Sequence, residues 1–194
     1  MSAREDYDRK TAALVGLRIE AVEYWDIHLY GEPREWDHGD WHHAVMGVAL
    51  TTSTGPVSVL WTNTFYPHGV EVFPHPMTSF LRQGEYGPEN WSVTDHPEWR
   101  ARTGQQITAA TTHWEQIELG PGRNGYGRIV EPARTVAVPV ALRLDLAAGP
   151  VWFIAGIWSQ QDDAPAIPDD EIVIAFTTDA MLRFGYPADP FALT

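Results

Sequence analysis

The sequence predicts a mainly β (α+β) fold: a β-sandwich or closed barrel with small peripheral helices, built from an α-β-β-β-β-α unit that occurs twice. Three observations carry this. Alternating or continuous apolar segments bounded by turn residues recur along the 194 residues. In each half, two apolar runs fold back on one another at a Gly-Pro pair. Each half also opens on a short helix stopped by glycine and followed by a long strand containing tryptophan.

In the first half, residues 4–16 read as a helix ending at Gly16, and residues 17–29 as the long strand. Residues 44–61 form a hairpin around Gly55-Pro56, and residues 70–84 a strand and a helix from about Met77 to Gly84. In the second half, residues 95–104 read as a helix with Asp95 as N-cap, Pro97 in the first turn and Gly104 as the stop. Residues 105–119 give the strand and residues 136–156 a hairpin around Gly149-Pro150. Residues 171–185 give a strand and a helix with Thr178 or Asp179 as N-cap and Gly185 beyond its end. Met77/Phe80 and Met181/Phe184 keep one spacing. Halves 4–84 and 95–185, joined by 85–94, are expected to share a single compact domain, 1–194.

Alternation along the first long strand predicts that Leu17, Ile19, Ala21, Trp25, Ile27 and Leu29 face the core. Glu20, Tyr24, Asp26, His28 and Tyr30 would then share the other face. The segments 44–50 and 151–157 are apolar on both faces and belong at the centre, covered on both sides.

Composition removes whole classes of function. With no cysteine, the chain has no disulfide, thiolate zinc site, iron–sulfur cluster or cysteine nucleophile. A formal charge of −13 opposes tracking of nucleic-acid phosphates and adhesion to anionic membranes. Residues 1–10 lack the apolar centre of a signal peptide, and no apolar run approaches the ~20 residues of a membrane helix. A cytoplasmic protein is expected.

The halves differ most between their first and second strands. Residues 30–43 hold Glu32, Glu35, Asp37, Asp40, Trp36, Trp41 and three histidines, whereas residues 120–134 hold Arg123, Arg128, Arg134 and four glycines. Function concentrates in loops that a scaffold does not need, and tryptophan is enriched where partners bind. The chain is therefore expected to be an acidic binding module that captures a basic protein partner, immunity- or antitoxin-like or regulatory. Glu32, Glu35, Trp36, Asp37, Asp40 and Trp41 are its contact residues. The acidic segment 162–171 extends the same charge.

The alternative is a small β-barrel enzyme or small-molecule binder with a pocket between the halves. It would use Asp26, His28, His68, Glu71 or the histidine cluster for acid–base work, or a divalent metal. Tyr24, Asp26 and His28 lie at period two on one strand, and Asn63, Tyr66, His68, Glu71 and His75 share a proline-stiffened aromatic segment. Asp37, His38, Asp40, His42 and His43 are all possible metal ligands, but Gly39 and the absence of an HExxH spacing argue against a dedicated site. No metal or other cofactor is expected. No GxSxG elbow or phosphate-loop order occurs, so no catalytic residue is assigned.

Overall fold

The computed structural model describes residues 1–27, 35–82, 84, 87–159 and 164–186; of 158, 159, 164 and 165 it describes the backbone alone. Helix α1 (Ala3–Ala12) begins with a capping box in which Ser2 and Glu5 satisfy each other's backbone N–H. The chain then runs through β1 (Ile19–Asp26), β2 (Trp41–His43), β3 (Gly47–Thr52), β4 (Gly55–Thr62) and β5 (Gly69–Phe73). Next come β6 (Glu89–Ser92), α2 (Pro97–Arg100), β7 (Ala109–Leu119), β8 (Gly122–Arg123), β9 (Ile129–Glu131) and β10 (Arg134–Asp145). The last elements are β11 (Val151–Ala155), β12 (Ile157–Ser159), β13 (Ala164–Ala166), β14 (Ile172–Ala175) and α3 (Thr178–Arg183).

Two five-stranded antiparallel sheets form, ordered β5-β4-β3-β1-β6 and β2-β14-β11-β10-β7. The expected closed barrel does not form. Each sheet ends on open edges, β5 and β6 in one and β2 and β7 in the other, so no ladder runs round a closed circuit. Within the sheets, β1-β3-β4-β5 and β7-β10-β11-β14 are meanders of the same order. Each takes one short strand at an edge: β6, from the segment read as a connector, lies beside β1, and β2 crosses to lie beside β14. No described helix is long and apolar enough to cross a membrane.

The largest core cluster is drawn from both sheets, with Val22, Tyr24, Leu50 and Val59 meeting Leu142, Leu144, Phe153 and Ile174. β11 is buried along its whole length, as its two-sided apolar pattern requires. Its other face packs Trp152 and Ile154 beneath Met181 and Phe184, in and just beyond α3. On the outer side of the first sheet, Trp25, Leu60 and Met77 form a third cluster.

Local chemistry corrects several expectations. β1 carries an irregularity between Ile19 and Ala21, where its register against β3 slips by one residue. Period two restarts after it. Val22 and Tyr24 therefore turn inward with Ile19, Trp25 turns to the outer cluster, and Ile27 is exposed. The helix expected over 77–84 is a single 3₁₀ turn, Met77–Ser79, because Pro76 precedes it with no side-chain cap. The N-cap position of α2 is His96 rather than Asp95, with no side-chain capping bond and Pro97 at the helix start. For α3 the cap is Thr177, whose hydroxyl accepts from the Ala180 N–H.

The segments leading into β1 and β7 meet in a reciprocal antiparallel contact. Gly16 N–H donates to the Ile107 carbonyl and Gly104 N–H to that of Ile19, at 2.9 and 2.7 Å. Ile107 N–H donates to Leu17 and Ile19 N–H to Gln105 at 2.8 and 3.1 Å, centred on the Arg18–Gln106 bridge.

Gly47 and Gly55 open β3 and β4 with φ of +137° and +135°. A Cβ on Gly47 would lie 2.6 Å from the Val59 carbonyl oxygen, whereas one on Gly55 meets nothing within 4 Å. Gly47→Ala is therefore expected to cost about 2–4 kcal/mol and Gly55→Ala about 1 kcal/mol. Denaturant unfolding of the two variants measures the difference.

Candidate functional site

At one corner of the sandwich the first sheet, the second sheet and α2 converge on His42. Residues 36–43 fold into a tight hairpin, with His43 N–H donating to Trp36 and His38 N–H to Trp41 at 2.8 and 3.1 Å. Gly39 turns it at φ +85°, and the Asp37 carboxylate accepts the Gly39 N–H at 2.9 Å. β2 then pairs with β14, His42 opposite Ile174. Alternation across this strand sends Trp41 and His43 to one face and His42 to the other.

His42 is fully buried, edge-on to the rings of Tyr24, Trp36, His96 and Phe176. Its Nδ1 lies 2.6 Å from the Tyr24 hydroxyl, which also accepts from Trp99 Nε1 at 2.5 Å. Nδ1 either takes the Tyr24 hydroxyl hydrogen or gives its own N–H to the Tyr24 oxygen. In the second arrangement Nε2 is a bare lone pair. Nε2 has no hydrogen-bond partner among the described residues and stands 3.6 Å from Asp37 Oδ1, while Asp37 Oδ2 lies 3.2 Å from His96 Nε2.

Burial, reinforced by the neighbouring His96, pushes His42 down to about 3 against the opposing pull of Asp37. The Gly39 N–H, with His96, holds the Asp37 carboxyl below its ordinary range. At neutral pH the corner thus presents a neutral imidazole beside an ionised carboxylate. One ligand atom from each of Asp37, His42 and His96 falls within 4.8 Å of the others, a geometry able to hold a cation.

The sequence singles out Asp37 and His42 but not His96, 59 residues from Asp37, which only the path from β6 into α2 brings there. The other expected contact residues have internal partners or lie elsewhere. Trp36 is half-buried against Tyr24, His42 and His96. Asp40 accepts from the Thr177 hydroxyl at 2.9 Å and pairs with Arg183, and both contacts fasten α3. Trp41 stacks on His38 at 3.9 Å and meets Phe184 edge-on. Glu35 is exposed, and Glu32 lies outside the described residues. His43 pairs with Glu171 at 2.5 Å.

The acid–base candidates do not converge. His28 lies outside the described residues, Asp26 is buried on β1, and Glu71 is buried on β5 accepting from the Thr62 hydroxyl. His68 meets Trp61 edge-on, and His75 is exposed. A hollow of 220 Å³ between α1 and the β4–β5 edge is lined mainly by apolar groups such as Leu14, Leu17 and Val57, with Arg9 and Lys10. It contains none of these candidates.

The Arg/Gly segment is an ordered hairpin. Asn124 Oδ1 accepts the N–H groups of Tyr126 and Arg128 at 3.0 and 3.1 Å, and Gly127 turns the chain at φ +75°. β7 and β10, paired as far as Leu119 and Arg134, carry β8 and β9 at their end. There Tyr126, Ile129 and Val130 are 93%, 58% and 61% exposed. Searches of known families, curated proteins and solved structures find no match to the chain.

A free histidine of the unfolded chain takes up a proton near pH 6.5, but folded His42 does so only near 3. Between these values the unfolded state binds more protons, so acidification is destabilising, by up to about 1.4 kcal/mol per pH unit. Asp37 stays ionised across most of that window, so its contribution is retained until the pH falls below the carboxylate range. In EDTA-containing buffer, unfolding free energies from pH 7 to 4.5 are expected to fall more steeply for the native chain than for His42→Gln.

Proposed function

We propose that the protein is a binding module that engages a partner protein through the β8–β9 hairpin. The observation that carries this is the exposure of Tyr126, Ile129 and Val130 together at the end of a two-stranded ribbon, beside Arg123, Arg128 and Arg134. Residues 120–134 carry three arginines and one glutamate, a charge of +2, so the remainder of the −13 chain carries −15. Such a contrast orients an approaching partner and raises its association rate. The partner it fits has an acidic surface around an apolar hollow.

A basic partner at the acidic insert has weaker support. Asp37 and Asp40 are already engaged with His96 and Arg183, although Asp37, like Glu35, is exposed. A pocket enzyme draws little support from the 220 Å³ hollow, which lacks acid–base candidates.

We also infer an internal duplication. Its support is the identical order of the two four-stranded meanders, the Gly-Pro turn in each, and the reciprocal bonds between residues 16–19 and 104–107.

Affinity capture from native lysate, with mass spectrometry, tests the binding reading. A Tyr126→Ser/Ile129→Ser variant is expected to lose the captured partner, and added salt to weaken what the native chain holds. Capture unchanged by this variant but lost in Glu35→Lys would return the interface to the acidic insert.

A further inference from the structure

We propose that Asp37, His42 and His96 form a binding site for a divalent first-row metal ion, with zinc as the representative, leaving one coordination position open. The donor set is two imidazoles and a carboxylate, the mixture such ions take in three-ligand sites. Zinc bonds to nitrogen and oxygen of ~2.0–2.2 Å in a tetrahedron separate neighbouring ligand atoms by roughly 3.3–3.5 Å. His42 Nε2 lies 3.6 Å from Asp37 Oδ1 and His96 Nε2 3.2 Å from Asp37 Oδ2, and one ligand atom of each residue falls within 4.8 Å of the others, so side-chain adjustment onto a shared oxygen admits an ion.

A second observation points to a ligand. His42 Nε2 is fully buried, 3.6 Å from Asp37 Oδ1, and without a hydrogen-bond partner among the described residues. A buried polar atom left unmatched is costly, and a metal bond satisfies it. The other ring nitrogen lies against the Tyr24 hydroxyl, itself fixed by Trp99; with its hydrogen on Nδ1 the ring donates to the Tyr24 oxygen and leaves Nε2 bare. That is the arrangement by which a partner of the distal nitrogen sets the tautomer of a metal-bound histidine.

The three ligands come from two places: Asp37 and His42 from the 36–43 hairpin, whose strand β2 joins the second sheet, and His96 from the start of α2 after β6 of the first. A bound ion would therefore fasten the two sheets together. A surface depression lined by Glu35, Trp36, Asp37 and His38 shares Asp37 with the site. Water, or an anionic group brought by a partner, would complete the coordination.

The test uses the full chain without an affinity tag, stripped with EDTA and titrated with zinc by calorimetry. Cobalt substitution serves as a spectroscopic readout. One ion per chain is expected, with visible cobalt bands of a low-coordinate N/O site and a melting temperature several degrees higher when the metal is added. His96→Ala and Asp37→Asn, at incompletely buried positions, should each weaken binding by at least about 100-fold and abolish the thermal shift. The exposed His75→Ala should change neither. Failure to bind zinc, or affinity retained in both His96→Ala and Asp37→Asn, overturns the site. If one variant does not fold, the other gives the result alone.

Discussion

The corner of the sandwich depends on one phenolic oxygen. Tyr24 comes from the first sheet, His42 from the second and Trp99 from α2, and the Tyr24 hydroxyl is the atom at which all three meet. In a wet environment such a triple contact contributes little, because water replaces each bond. Here both Tyr24 and Trp99 are fully buried, so removing any member leaves the others as unmatched polar groups. The relative placement of the two sheets is thus specified by direction-dependent bonds as well as by apolar packing, which has no preferred direction. His42 inherits its orientation from this joint, while Asp37 is held beside it by the Gly39 N–H and His96.

A different economy operates around α3. Asp40 lies in a segment distant in sequence, yet it holds Thr177 and Arg183 at the two ends of the helix. Thr177 in turn accepts the Ala180 N–H. A helix of six residues is too short to persist through its own hydrogen bonds. It stands because a carboxylate anchors its cap and its last turn while Met181 and Phe184 fill the outer face of β11 and β14.

The β-rich class and the paired hairpins are legible because Gly-Pro turns and continuous apolar runs are local signals. Gly55 and Gly149 have the positive φ such turns require, and Val151–Ala155 is buried throughout. What could not be read locally was misplaced. One extra residue near Glu20 exchanged the faces of β1, turning Tyr24 from an expected surface residue into the centre of a buried joint. The polar sequence Glu89–Ser92 gives no sign of a strand, and it is one because β1 offers an unpaired edge. The acidic insert is distinctive in sequence, and its charges Glu35 and Asp37 are exposed, but the partners of Asp37 and Asp40 lie far along the chain, where no local pattern announces them. His96 carried no signal beyond its place before Pro97, since its role exists only where β6 delivers it.

The crossing of β2 to the far sheet has a protective consequence. Strand β14 reads Ile-Val-Ile-Ala, is buried along its whole length, and has β11 on one side. Without β2 its other side would present unpaired backbone on an apolar, uncharged strand, the kind of edge that templates assembly between chains. The segment most readily taken for a dispensable loop therefore works as a guard rail. It caps the second sheet with the short polar strand Trp-His-His, backed by the charged turn at Asp37 and Asp40. A deletion that leaves both meanders untouched would convert a self-contained fold into one with an open, adhesive border.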